Sequence, residues 1–471
     1  MESSMYIILL NPPARNKGSE SFIVPPLGLG YIAASLRQAG YRVTIKDALA
    51  EQMSLSDLDH FLKSECPDIL GLNTMTPVID TTFAAIRMAR SYVSTIIVGG
   101  PHVSVRKQDI FQQCPEIDFG VVGEGEQTIV ELVQNLESGK SPNSVPGVIC
   151  RDSMGPPRAL ITDLDTLPFP ARDLLPLDKY HYHFSKNKRV TTLFTSRGCP
   201  FHCIFCDKSV FGSRWRARSA DNVLLEVDEI VNIFKTKSLI IYDDLFTLKK
   251  ERVREFCEGI LRRGYKIDWK CESRVNLVDF EILKLMKQAG CSMIAYGVES
   301  GNQHGLDYLN KKIKVDEIRR AFALTHQAGV ETMAYFILGI PAESYKEELQ
   351  SIKFAKELNS TYVQFSLLSP YYGTKLFREA MAKGWYKEVD AKNPIDQGLK
   401  RPVVISPNWN EEEINKIVMK AYLSYYFRPK YIMQRLLSIS SASQFINSFK
   451  GMMTLIRWII VKFINKMPRK V

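Results

Sequence analysis

The strongest constraint on the fold is an alternation, run twice along the chain, of short β-rich runs and amphipathic helical patterns. The first series has the runs MYIILLN, YRVTIKDA, DILGLNTM, STIIVGG and DFGVVGEG. Between them lie the helical patterns LGLGYIAASLRQAG, SLSDLDHFLKSE, VIDTTFAAIRMARS and a weaker one around Asp109, and EQTIVELVQNLESG follows the fifth run. Strands joined through helices form parallel sheets covered on both faces. A doubly wound, Rossmann-like α/β sheet is therefore expected over residues 1–140, with ligands at the carboxyl ends of its strands. Those ends are Asn11-Pro12-Pro13, Asn73-Thr74-Met75-Thr76, Gly99-Gly100-Pro101-His102 and Gly123-Glu124-Gly125-Glu126.

The second series runs VTTLFTS, SLIIYDD, IDWKCES, MIAYGVES, TMAYFILG and TYVQFSLLSP, with helical patterns such as ADNVLLEVDEIVNIF and KKERVREFCEGILRRG between the runs. Six βα units over residues 190–400 are too few for a closed eight-unit barrel and enough for a partial (βα)6, TIM-like one. A proline-rich connector, residues 141–189, joins the two series, and its apolar anchors predict that it wraps a surface. Residues 401–471 read as a helical, basic C-terminal region.

At roughly 100–200 residues per domain, 471 residues imply two to four domains. An apolar share of 45% and a charged share of 24% exclude disordered and low-complexity classes. No apolar run reaches the ~18 residues of a spanning helix. MESSMYIILLNPP reads as a strand rather than a signal peptide. Nine cysteines then point to a reducing, cytoplasmic setting, where clustered cysteines mean metal or catalysis. The net charge of +11 lies wholly after Glu413, where eleven bases and no acid occur. The basicity belongs to a tail, which argues against a nucleic-acid-binding surface.

The sharpest chemical signal is Cys199-Pro-Phe-His-Cys203-Ile-Phe-Cys206, directly after the first strand of the second series and opened by Arg197-Gly198. Iron–sulfur clusters are normally held by four cysteines. A set of three leaves one iron open to substrate or cofactor, as an open position separates catalytic from structural zinc. The alternatives are a zinc site with His202 as fourth ligand, or unrelated core cysteines. Zinc usually draws separated ligand pairs, and the chain has no second CxxC. Cys66, Cys114, Cys150, Cys257, Cys271 and Cys291 stand alone on strand or helix patterns, where free cysteine acts as a small hydrophobe.

Here the sequence resembles the radical S-adenosylmethionine (SAM) superfamily, whose CxxxCxxC signature occupies this place in a partial barrel. The resemblance implies a [4Fe-4S] cluster on Cys199, Cys203 and Cys206. Its open iron would chelate the amino and carboxylate groups of SAM, and electron transfer would cleave SAM to a 5′-deoxyadenosyl radical. It further implies that Phe205 packs on the adenine and that Asp243-Asp244 occupies the SAM-amine position, although the common Gly-Gly-Glu form is absent. Glu299-Ser300 matches the ribose segment, Leu338-Gly339-Ile340-Pro341 the adenine-side turn, and Arg274 a carboxylate contact. Against each of these stands ordinary strand-end polarity.

The runs NPP, PPLGLGYIAASLRQAGYRV, VGGPH and GEGE resemble the cobalamin-binding domain that precedes some radical SAM barrels, and LDTLPFPARDLLP and FRPKYI fit the same group. That group contains the class B radical SAM methylases and the anaerobic magnesium-protoporphyrin ester cyclase. The DxHxxG motif that supplies an axial histidine in other cobalamin proteins is missing, as is usual in the group. The cobalamin contacts implied are Pro26, Leu27, Gly28, Thr74, Gly99, Gly100, Gly123 and Glu124. His102 reads better as a capping or core histidine than as a cofactor neighbour. No cysteine follows Cys291, so an auxiliary C-terminal cluster is absent, and methylthiotransferases fit poorly.

The resemblance implies a C-methyltransferase that uses methylcobalamin on an unactivated carbon of a small-molecule or lipid-like substrate. The alternatives are a radical oxidative cyclase or rearrangement enzyme, and a non-catalytic cobalamin sensor. The cluster needs an electron donor, for which an acidic flavodoxin or ferredoxin suits the basic tail. MMTLIRWIIVKFINK, around Leu455–Ile464, would lie at a membrane interface or pack as a last helix on the barrel.

Overall fold

The computed structural model describes residues 5–14, 22–182, 185, 187, 189–390 and 400–437. The first sheet contains β1 (Tyr6–Asn11), β2 (Arg42–Asp47), β3 (Ile69–Asn73), β4 (Thr95–Gly99), β5 (Phe119–Val121) and β6 (Val148–Ile149). Its order is β2-β1-β3-β4-β5-β6, with all pairs parallel except β5–β6. The strand order reverses between β1 and β3, so the ligand crevice of such a sheet lies at their carboxyl ends. β1 shows why both faces must be covered. Ile7 and Leu9 enter one apolar core and Ile8 and Leu10 the other.

The helices are α1 (Leu27–Gln38), α2 (Leu55–Glu65), α3 (Ile79–Ala89), α4 (Pro101–Arg106), α5 (Asp109–Gln113) and α6 (Glu126–Glu137). α2 starts at a capping box in which Ser54 and Asp57 exchange hydrogen bonds. β6 departs from the sequence reading. The segment after residue 140 gives the first sheet an antiparallel edge strand before it becomes a connector.

The second sheet contains β7 (Val190–Leu193), followed by a small hairpin of β8 (Ser196–Arg197) and β9 (Arg216–Ala217). The sheet then continues through β10 (Ser238–Ile241), β11 (Asp268–Ser273), β12 (Cys291–Glu299), β13 (Glu331–Leu338) and β14 (Tyr362–Leu367). The six long strands run β14-β13-β12-β11-β10-β7, all parallel, which is an open partial barrel. Its crossover helices are α7 (Ala220–Asn232), α8 (Lys250–Arg262), α9 (Phe280–Gln288), α10 (Gln303–Tyr308), α11 (Val315–Gln327), α12 (Tyr345–Leu358) and α13 (Lys375–Ala382). A second antiparallel hairpin, β15 (Tyr386–Asp390) with β16 (Lys400–Val404), precedes α14 (Glu411–Tyr426) and α15 (Pro429–Leu437). Trp409, Ile414, Ile417, Val418, Ala421 and Tyr425 join the barrel's outer core, so α14 packs as a barrel layer. The tail segment Leu455–Ile464 lies outside the described residues.

The connector binds the two sheets together. Ile23 pairs with His181, and Arg172 donates to Thr192 O at 2.8 Å and pairs with Glu226 on α7 at 2.5 Å, both side chains fully buried. Val190 and Ile240 of the barrel share an apolar core with Ile7, Leu9, Tyr180 and Tyr182. Among the described residues no helix is long and apolar enough to cross a membrane.

Gly100 shows how tightly the crevice edge is packed. Its φ is +106°, and a Cβ there would lie 2.5 Å from Asn73 Oδ1 and 2.9 Å from Thr74 O. Gly100→Ala is expected to destabilise the chain by about 1–3 kcal/mol through strain and overpacking. Gly40→Ser, at a positive-φ turn with nothing within 4 Å, serves as the control for strain alone. Thermal midpoints of the two variants against the parent check this.

Candidate functional site

The cysteine loop leaves the barrel at the end of β7. Gly198, at φ +84°, opens it, because a Cβ would stand 2.4 Å from Arg214 O. Lys208 folds back and donates to Cys199 O at 2.6 Å and to Phe201 O. Ile204 N bonds Leu309 O at 3.1 Å, and Leu376 N bonds Ile204 O at 2.9 Å, so barrel loops hold the far side. Phe205 packs against an apolar group that includes Ile204, Leu309, Ile337 and Ile340. Desolvation first, then the Asp244 charge and the neighbouring thiols, raise Cys206. Desolvation also raises Cys199, while Lys208 opposes it. A metal centre would displace these protons on binding.

Among the described residues no three His, Cys, Asp or Glu side chains converge on one ion position. The His202 carbonyl accepts from Asn310 at 2.6 Å. An iron–sulfur cluster takes each thiolate on a different iron, so its donors stand apart around a shared centre. Three thiols on one eight-residue loop match that donor chemistry.

Arg274 lies against this loop. Its guanidinium sits 3.7 Å over the Phe201 ring, Nη1 is 3.8 Å from Cys203 Sγ, and Nη2 donates to Lys311 O. Nε is buried with no partner, which leaves one donor for a ligand carboxylate. The Asp243 carboxylate, by contrast, is consumed internally. It accepts from Thr195 N at 2.6 Å, Thr195 Oγ1 at 2.5 Å and Ser196 Oγ at 2.6 Å, with Arg252 at 3.6 Å. Asp243 therefore ties the loop's root to β10, and Asp244 is the carboxylate facing the cysteines. Desolvation and the Asp243 charge raise the Asp244 carboxyl, opposed by a hydrogen bond from Gly198.

Two further expected SAM contacts are also scaffold. Ser300 is fully buried and donates to Glu343 Oε1 at 2.5 Å. Glu299 is a non-glycine residue at φ +67°, at a register shift between β12 and β13, and its carboxylate pairs with Lys311 at 2.5 Å. Such a conformation persists where the surroundings over-determine it, commonly at ligand sites. Gly339 N donates to Glu348 at 2.7 Å, which holds the Leu338–Pro341 turn from behind.

At the first sheet, Gly28 has nothing within 4 Å of an added Cβ, and Gly123, at φ +80°, meets only Val210 O at 3.9 Å. Gly99 and Gly100 are packed instead, a Cβ on Gly99 meeting Val121 at 3.8 Å and one on Gly100 meeting Asn73 Oδ1 at 2.5 Å. Three residues expected there are turned to other tasks. Leu27 is buried, and the Thr74 hydroxyl donates to Gly99 O at 2.8 Å and accepts from Val103 N at 3.3 Å. Glu124 is buried, pairs with Arg197 at 2.9 Å and Arg216 at 2.8 Å, and accepts from Ile161 N at 2.9 Å. Arg197 also reaches Glu126 at 2.5 Å. His102 is a core residue beside Thr76 Oγ1 at 3.1 Å, and burial lowers its pKa.

The ion group of Glu124, Glu126, Arg197 and Arg216, two residues from Cys199 at its nearest, fastens the turn after β5 to the cysteine loop. Val105 and Asp207 also meet over Gly373, and the Arg106 guanidinium lies 4.2 Å over Tyr372. Buried ions thus hold the turn after β5 and the cysteine loop together. Arg197, Arg216, Lys208 and Lys311 were missed from sequence as site residues. The Arg-Gly pair before the first cysteine and the second acid of GEGE were the available signals.

Residues 193–355 match the Radical SAM superfamily model, and residues 18–133 match the B12 binding domain model. The uncharacterized methyltransferase PH0819 of Pyrococcus horikoshii is 34% identical over 441 residues, 91% of this chain and 94% of that protein. The anaerobic magnesium-protoporphyrin IX monomethyl ester cyclase of Rubrivivax gelatinosus is 29% identical over 80% of this chain and 70% of its own. The fold is also that of the radical SAM methyltransferase TsrM from Kitasatospora setae, solved with cobalamin and a [4Fe-4S] cluster. It has a TM-score of 0.72 and 17% identity over 91% of this chain and 90% of that one.

Glu124→Gln removes one anion from a buried group of four charges and is expected to cost about 3–5 kcal/mol, read as a lowered thermal midpoint. Arg37→Ala, which breaks the exposed pair with Asp173, should change stability by less than about 1 kcal/mol.

Proposed function

We propose that this chain, which belongs to the radical SAM superfamily and carries its cobalamin-binding domain, is a methyltransferase acting on an unactivated carbon. Radical SAM enzymes of this kind use a [4Fe-4S] cluster, SAM and cobalamin. The observation that supports the reading is the buried pairing of Arg197 and Arg216, from the hairpin around the cysteine loop, with Glu124 in the turn after β5 of the first sheet. Relatives with methyltransferase names include the Pyrococcus protein and the hopanoid C-3 methylase of Methylococcus capsulatus, which is 28% identical over 74% of this chain.

When bound, the cofactors would supply an electron that cleaves SAM, a deoxyadenosyl radical that removes a substrate hydrogen atom, and a methyl group for the carbon radical. The chain's own share is to place them. Cys199, Cys203 and Cys206 would hold the cluster, and Lys208 fixes the loop that presents them. Asp244 and the free Nε of Arg274 would receive the SAM amine and carboxylate, and Phe205 the adenine face. Pro26, Gly28, Gly99, Gly100 and Gly123 would line the corrin. The substrate would be a small or lipid-like molecule, and an acidic electron-transfer protein would reduce the cluster. Cyclisation without methyl transfer is the second reading, because the cyclase is also similar over 80% of this chain.

After anaerobic reconstitution with hydroxocobalamin, the chain should retain about four irons and one cobalt. Cys203→Ala should lose iron and 5′-deoxyadenosine formation while keeping cobalt. Methyl-labelled SAM should pass label to an acceptor in cell extract. 5′-Deoxyadenosine without retained cobalt or transferred label would retire the methyl-transfer reading in favour of cyclisation.

A further inference from the structure

Two glutamates behind the strand-end turns have no part in the function described so far. Glu343 and Glu348 are both 0% exposed. Glu348 Oε1 accepts the N–H groups of Gly339 at 2.7 Å and Ile340 at 3.0 Å. Glu343 Oε1 accepts the Ser300 hydroxyl at 2.5 Å. The other oxygen of each, Glu343 Oε2 and Glu348 Oε2, is buried without a partner. Among the described residues no Lys or Arg pairs with either.

The titratable neighbours are His304 on α10 and Glu347 on α12, 3.5 Å apart. Trp409 closes the far side, donating its indole N–H to Ile340 O at 3.1 Å and Glu343 O at 2.8 Å. Gly305 marks how fully Glu343 occupies its site, since a Cβ there would stand 1.7 Å from Glu343 Oε1. Glycine is unfavourable inside a helix, and here the intruding carboxyl requires it.

Two adjacent carboxylates with no cation do not both ionise in a dry pocket. One proton between the two orphaned oxygens satisfies both. Burial raises Glu343 as well, opposed by Ser300, His304 and Asn302, whereas burial and then the Glu343 charge push Glu348 further up, opposed by the backbone N–H groups of Ile340 and Gly339. We propose that Glu348 is held as a neutral acid that donates its Oε2 hydrogen to Glu343 Oε2. This bond makes Glu348 a positioning residue, joining the Glu299–Ser300 turn to the Gly339–Ile340 turn. The link to SAM rests on the functional reading above; the protonation does not.

In the native chain Glu348 keeps its proton above the ordinary carboxylate range, while in the unfolded chain it is ionised there. The stability it supports is therefore full below the ordinary carboxylate pKa and declines as pH rises. Glu348→Gln keeps both acceptor and donor and cannot ionise. The thermal midpoint of the reconstituted E348Q enzyme should gain on the parent as pH rises from about 6.5 to about 8.5. Between the unfolded and the native pKa of Glu348 this corresponds to a relative folding constant that grows by up to about tenfold per pH unit. The infrared carbonyl band of a protonated carboxylic acid should be present in the parent at about pH 8 and absent in E348Q.

SAM affinity should stay within about twofold in E348Q and fall about tenfold or more in E348A. Should E348A fail to fold, Gly305→Ala, which displaces Glu343 from Ser300, is the second variant. A pH-independent gap with no band lost overturns the protonation. Unchanged SAM affinity in E348A or G305A overturns the positioning role. A parent enzyme that binds no SAM would sink the functional reading and with it the link to SAM, while the pH gap would still decide the proton.

Discussion

The arrangement depends on four buried charges. Arg197 and Arg216 come from the hairpin around the cysteine loop, and Glu124 and Glu126 from the turn after β5. Ions taken out of water recover the cost only with good geometry and full pairing, so the group tolerates little displacement. Each guanidinium is committed to a carboxylate of the other sheet. The loop that carries Cys199 therefore cannot move without dragging the edge of the first sheet along. Tyr31 and Phe211, each 5.2 Å from the Arg197 guanidinium, wall the group off from water.

Much of the architecture was legible in the sequence because its signals are local. All five parallel strands of the first sheet and four of the six in the barrel lie within the β-rich runs, β12 and β13 start two residues and one residue earlier, and the helices between them follow their apolar periodicity. What escaped was short or long-range. β6, β8 and β9 are two residues each, too short to leave a pattern, and they exist because a partner strand is already in place. The helical basic region was legible as helix, but not as a layer of the barrel, since that depends on Trp409 and Tyr425 finding the outer core.

The candidate site was legible in position more than in role. The motifs did sit at strand ends, yet the sequence cannot show whether a carboxylate there is free or already paired. Asp243 and Asp244 are adjacent acids. One is enclosed by Thr195, Ser196 and Arg252, and the other acts on Cys199 and Cys206. Glu124 looked like a cofactor contact because it stands in a glycine turn. Its partners are 73 and 92 residues away along the chain. Ser300 met the same fate through Glu343, 43 residues on.

The apolar core that Val190 and Ile240 share with Ile7, Leu9 and Tyr180 has a consequence for traffic. Two lobes joined by a thin linker can gape to admit a guest and shut again. Here the seam is filled with hydrocarbon, so separating the halves would wet a continuous greasy surface as well as four ions. Parting the halves is therefore a costly way to open, and the two sheets move as one body.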